Sequence, residues 1–186
     1  MTCEEIIHKG YFDCRGRLVK LNYKGCLIYG CITNVKLNYI VVKSNISLGC
    51  NGCNRCEDKE IMLAKEEDIE INFISRKDMV SIYSQKLGRN IPDISELSYD
   101  ELYNLEEKLS FMYKMSMGYK GYRLRVEVAT DDTRINNSLR REYIMYLDEV
   151  AELTKREFMN IKGIGKESVK LMEQLLGEYS LSFRNE

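Results

Sequence analysis

Two short stretches hold residues whose types and spacing could do chemistry: "CNGCNRC" at 50–56 and "NIKGIGKES" at 160–168. In the first, Cys50, Cys53 and Cys56 stand at two-residue gaps. A turn of two residues lets both sulfurs of a pair face inward, so thiolates spaced this way can wrap a soft metal such as zinc. A structural zinc needs a fourth ligand, which Cys3, His8, Cys14, Cys26 or Cys31 could supply only through the fold. "EDKE" follows Cys56, so the fourth cysteine of a bacterial ferredoxin run is missing and an iron–sulfur cluster is disfavoured. Without a fourth ligand, the three are free thiols open to oxidation. The one histidine, His8, would have to serve any Ser-His-Asp or Cys-His site, and its neighbours give it no such partner. It reads as a surface histidine near a mobile N-terminus. The sequence has no GxxxxGK[ST] loop and no HExxH, and the expectation is a protein without catalytic activity.

In the second stretch two glycines flank Ile164, and an apolar-periodic run follows: Val169, Met172, Leu175, Leu176 and Tyr179 recur at spacings of three and four. Upstream, Thr154 and Glu157 make a capping box before Phe158, Met159 and Ile161. The turn therefore joins a short helix to a longer one. Gly163 and Gly165 suit positive φ or a close backbone approach, and Ile164 plugs the hairpin core. The first turn of the second helix then offers free backbone N–H groups beside Lys166 and Ser168, a ready anion site. This is a helix-hairpin-helix pattern.

The elements that position these residues follow from patterning. Residues 11–75 read as five short strands, "GRLVKLNY", "GCLIYGCITNV", "LNYIVVKS", "EIMLAK" and "DIEINFI", rich in β-branched and aromatic residues. Five such strands can close into a small barrel, which removes exposed edges. A turn at 24–25, a bend at Gly30 and the closing "EEDIEINFI" resemble an Sm-like or SH3-like barrel, which implies RNA binding only by architecture. Residues 76–130 read as a mixed helical connector. One helix ends near Gly88, Pro92 interrupts the pattern, and Ser98 with Glu101 caps a second helix striped by Leu102, Leu105, Leu109 and Met112. Then Lys114, Lys120, Arg123 and Arg125 interleave with Tyr113, Tyr119 and Tyr122. Such a stretch can track a nucleic-acid backbone; the plainer reading is a solvated basic edge.

With 186 residues, 44% hydrophobic and 31% charged, the protein is of globular composition with room for one ordinary domain or two small ones. No apolar run approaches the roughly 20 residues of a membrane helix, and "MTCEEIIHKG" lacks the features of a secretion signal. The expected location is cytoplasmic, where seven cysteines favour reduced thiols or a metal over a disulfide framework. A net charge of −1 excludes a broad electrostatic claim on nucleic acid, so any such binding needs local geometry.

Residues 131–183, from "DDTRINNSLRR" through "LDEVAELTKREFMNIKGIGKES" to "LLGEYSLSF", resemble the C-terminal domain of the bacterial RNA polymerase alpha subunit. The resemblance implies an all-helical domain that binds the minor groove of AT-rich upstream promoter DNA and docks transcription activators. In that family an arginine and an asparagine three residues later make the central DNA contacts, which places Arg134 and Asn137 in those roles. The resemblance gives the contacts of the hairpin's second glycine and the following serine to Gly165 and Ser168, and Gly163 and Lys166 complete the expected DNA-binding set. The family places a basic residue directly before the serine, where this sequence has Glu167. Residues 131–186 hold nine Lys or Arg against eleven Asp or Glu. The plainer reading of Arg134 is a surface ion pair with Asp131 or a neighbour.

The expected architecture is α+β: a small β-barrel over 11–75, a helical connector over 76–130 and a helix-hairpin-helix domain over 131–186. The expected function is that of a DNA-binding accessory or regulatory factor in transcription. Two alternatives stand beside it. One is an interaction module that docks on RNA polymerase or a regulator without touching DNA; the other is RNA binding through the barrel.

Overall fold

Alternating apolar residues early in the sequence and helical periodicity later give two compact units in the computed structural model, Met1–Ser81 and Ile82–Glu186. The structure describes residues 1–48, 59–91, 93–118 and 121–185, with the side chains of residues 11 and 12 left aside.

The first unit opens with helices α1 (Cys3–Lys9) and α2 (Tyr11–Cys14). The Thr2 hydroxyl accepts from the Glu5 N–H while the Glu5 carboxylate accepts from the Thr2 N–H, a capping box that fixes the start of α1. The N-terminus is thus held, and Cys3 and Ile6 are buried. Strands β1 (Leu18–Tyr23), β2 (Cys26–Val35), β3 (Tyr39–Leu48), β4 (Glu60–Ala64) and β5 (Ile71–Phe73) follow, close to the five runs read from the sequence. They form one antiparallel sheet in the order β4-β3-β2-β1-β5.

Lys24 and Gly25 make a two-residue hairpin with φ of 51° and 80°, the mirror-image turn that matches strand twist. At Gly30 the register slips, and a Cβ there would run into the Lys43 carbonyl oxygen, so only glycine permits the bend. Val19, Leu21, Ile28, Ile32, Ile40, Val42, Leu63 and Ile71 fill the core against Cys3, Ile6 and Cys14.

Barrel closure is absent from the described pairings. No β4–β5 ladder occurs among the described residues. Instead Met1 exchanges both backbone hydrogen bonds with Ile71, at 2.9 and 2.7 Å, covering β5 there on the edge away from β1. The architecture of this unit is therefore a five-stranded antiparallel sheet with helices.

Helix α3 (Arg76–Leu87) runs across the division between the units. In the second unit α4 (Tyr99–Ser116) starts at the Ser98–Glu101 capping box read from the sequence. After it come α5 (Val126–Ala129), α6 (Thr133–Arg141), α7 (Leu147–Ala151), α8 (Lys155–Asn160) and α9 (Lys166–Glu178). Phe158, Ile135, Leu139, Leu147, Met172 and Leu176 are buried at the centre. The core extends upstream of residue 131: Phe111, Leu124, Val126 and Ala129 belong to the same cluster. Backbone pairing ties that segment in, with the Val126 N–H donating to Met145 and the Leu147 N–H to Leu124, both at 2.9 Å. Among the described residues no helix is long and apolar enough to cross a membrane.

Candidate nucleic-acid interface

The hairpin between α8 and α9 gives its two glycines different tasks. Gly163 has φ of +96°, and a Cβ on it would lie 2.7 Å from the Ser138 Oγ of α6. Backbone conformation and close packing both demand glycine there. Gly165 is extended, with φ of −127°, and a Cβ would meet nothing within 4 Å. Its freedom of space faces outward. Gly165 is also the N-cap of α9, and that helix start has no side-chain cap. The first N–H groups of a 13-residue helix are therefore open to an external acceptor, with the positive end of the helix dipole behind them. Ile164 packs on the core, as its place in the hairpin suggested, and its N–H donates to the Ile161 carbonyl at 3.0 Å.

Helix α6 supplies the other wall. Asp132 caps it by accepting from the Ile135 N–H at 2.9 Å, and the Asn136 amide donates to the Thr130 carbonyl at 2.9 Å. With Ile135, Ser138 and Leu139 facing the core, Arg134 and Asn137 are left exposed one turn apart. Arg134 makes no ion pair with Asp131 or with any other described residue. Its guanidinium borders a groove of about 410 Å³, with Asp132 on its own helix and Glu167, Ser168, Lys170 and Gln174 from α9. Ser168 is only 7% exposed, so its hydroxyl sits at the groove's wall and not on an open surface. Glu167 is 86% exposed and accepts from the Lys170 ammonium at 3.0 Å.

The structure thus brings Arg134 and Ser168 to one groove, which Gly165 and Lys166, just ahead of Glu167 in sequence, do not line. Asn137 stands a turn along α6, and Gly163 lies beneath, locked against Ser138. Sequence reasoning missed Lys170, Gln174 and Asp132. The signal for the first two was present: they follow Lys166 by four and eight residues, on one face of the helix.

The basic-aromatic stretch is put to a different use from the one its composition suggested. Arg123 donates to Asp148 at 2.9 Å and Glu149 at 2.6 Å, and its guanidinium lies 3.9 Å from the Tyr146 ring centroid. Arg125 pairs with Glu127, which also holds Arg140. Lys114 is wholly buried, 4.9 Å from the Tyr122 ring centroid. These cations are committed to intramolecular partners, so they form no free basic track. Tyr119 and Lys120 lie outside the described residues.

Cys50, Cys53 and Cys56 also lie outside the described residues. Among the described residues no three His, Cys, Asp or Glu side chains converge as a metal site. Cys3 and Cys14 are buried free thiols, Cys31 is half-buried, and Cys26 is disulfide-bonded, where the composition favoured reduced thiols or a metal over a disulfide framework. His8 is exposed, its Nδ1 2.9 Å from the Glu4 carbonyl oxygen.

A hairpin packed under an arginine-bearing helix, with an uncapped helix start beside it, defines a helix-hairpin-helix domain. Residues 132–178, about a quarter of the sequence, match the family of C-terminal domains of the bacterial RNA polymerase alpha subunit. That family acts in transcription, binds DNA and polymerase partners, and is not catalytic. No curated protein and no solved structure matches the sequence.

Proposed function

We propose that the helical unit binds duplex DNA and that the protein is an accessory or regulatory factor in transcription. Arg134 enters an AT-rich minor groove while the open N–H groups at the start of α9 receive a backbone phosphate. The observation that carries this reading is an exposed arginine that makes no ion pair among the described residues, beside an uncapped helix start. A narrow AT-rich minor groove has enhanced negative potential and draws an inserted arginine without a base-specific code. The phosphate contact at α9 sets the orientation. Asn137 adds a polar contact one turn along the same helix, and Lys166 a positive charge beside the phosphate.

The test is a fluorescence anisotropy titration of the whole protein with an AT-rich duplex, at two salt concentrations, against Arg134→Ala. Loss of a groove-reading arginine costs about 1–3 kcal/mol, or roughly 5- to 150-fold in Kd. Equal affinity of the two proteins removes Arg134 from the interface.

A second reading rests on Glu167, whose exposed carboxylate stands where a phosphate would come. On that reading the same face docks on RNA polymerase or a regulator. Retention on polymerase with no binding to duplex at low salt would select it.

A further inference from the structure

Glu167 should repel DNA, yet its charge is already engaged by Lys170, which borders the same groove as Arg134. Four charged side chains line that groove: Asp132, Arg134, Glu167 and Lys170. Asp132 is occupied as the cap of α6. Arg134 is the groove's reading arginine under the proposed function. The Glu167–Lys170 pair is left, three residues apart on the first turns of α9, with side chains 86% and 70% exposed. A pair so exposed is held by little, because water screens it and both side chains lose freedom in making it. An incoming phosphate is a better partner for the ammonium. It comes with a closely spaced array of further backbone phosphates, and its arrival releases condensed counterions. Glu167 in turn is rid of a neighbour it needed only in the free protein, and its carboxylate can rotate out to water.

We infer that Lys170 is a further DNA-contacting residue, one that exchanges its partner Glu167 for a backbone phosphate when duplex binds. This inference rests on the proposed DNA-binding function. It assigns the phosphate neutralisation that Glu167 cannot provide to a lysine one helical turn farther along α9. Glu167 becomes a built-in competitor that lowers affinity for duplex without abolishing it.

Removing Lys170 alone is ambiguous, since it also leaves Glu167 unpaired and facing DNA. The informative comparison is therefore made with Glu167 neutralised. Binding of AT-rich duplex is measured by anisotropy between 50 and 200 mM salt for the wild type, Arg134→Ala, Glu167→Gln, and Glu167→Gln combined with Lys170→Gln. Glu167→Gln is expected to bind more tightly than the wild type. Adding Lys170→Gln is expected to flatten the plot of log K against log salt by about 0.9. Between those salts, that is a roughly 3- to 4-fold smaller change in affinity. An unchanged slope on adding Lys170→Gln overturns the inference, since the lysine then only screens Glu167. Failure of this inference is distinguishable from failure of the function. If Arg134→Ala weakens binding while the Lys170 comparison is flat, only the partner exchange is refuted. If Arg134→Ala binds as the wild type does, the site itself is refuted, and the exchange with it.

Discussion

The two hairpin glycines should separate stability from binding, and Gly163→Ala is the sharper half of that statement. Two penalties meet at this position. A φ of +96° is a conformation that L-residues rarely adopt, which costs about 1–3 kcal/mol. The new methyl would also lie 2.7 Å from the Ser138 Oγ, an overpacking that costs about 1–3 kcal/mol where the neighbour is itself packed. Ser138 is 3% exposed and sits on α6, so it has little room to retreat. The sum is roughly 2–4 kcal/mol after partial relaxation, or a fall of about 1–2 M in the urea midpoint at an m-value near 2 kcal/mol/M. The assay is urea unfolding of the whole protein, followed by the helical far-ultraviolet signal. Ser138→Ala supplies the internal control: it removes the close oxygen, so Gly163→Ala should cost about 1 kcal/mol less in that background. Gly165→Ala meets nothing and keeps an extended backbone. It should cost no more than about 1 kcal/mol, through poorer capping. If Gly163→Ala is no more destabilising than Gly165→Ala, the hairpin does not pack on α6 as described.

Acid should loosen the helical unit in a defined direction. Burial pushes the Glu149 carboxyl up, but the Met145 N–H, the Arg123 guanidinium and the Tyr146 N–H outweigh it and hold the group below its usual 4.5. The Glu157 carboxyl is held down by the Thr154 N–H and hydroxyl and by Arg184. Both groups are depressed in the folded state, so their stabilisation is complete above about pH 4.5. It is lost as pH falls through the folded values. Urea midpoints at about pH 6 and pH 3 should show a drop that Glu157→Gln makes smaller; an equal drop in the variant contradicts the role of that carboxylate. The free thiols should differ in reactivity. Burial raises the Cys3 thiol, with the charge of Glu67 adding to it, and burial likewise raises Cys14 against the opposing charges of Lys9 and Arg17. Timed maleimide labelling read by peptide mass should therefore reach half-buried Cys31 before either. Labelling of Cys3 or Cys14 as fast as Cys31 contradicts their burial.

What the sequence disclosed were features whose cause is local. Strand runs, the Lys24–Gly25 turn, the bend at Gly30 and the capping boxes at Ser98 and Thr154 are set by residues within a few positions of one another. The capping box at Thr2 has the same local signature, Thr2 with Glu5, and α1 was legible in principle. What stayed hidden depends on distant partners. Arg123 looks like a nucleic-acid contact until Asp148 and Glu149, 25 and 26 residues on, arrive to bind it. Leu124 and Val126 look like a basic connector until residues 145–147 pair with them and draw them into the core. The groove was half legible. Arg134 and Ser168 could be named from a resemblance and Lys170 from its place four residues after Lys166, whereas Asp132 became visible only when α6 and α9 were set side by side.

Amide chemical shifts report residue by residue on whether the α6–α9 groove is the DNA-binding face. Titration of the labelled whole protein with a short AT-rich duplex should move the signals of Arg134, Asn137, Gly165, Lys166, Glu167 and Ser168. Arg123, Arg125 and the strands of the N-terminal sheet should stay where they are. Shifts centred on the strands or on residues 123–125, with 134–137 and 165–168 unmoved, would contradict the account.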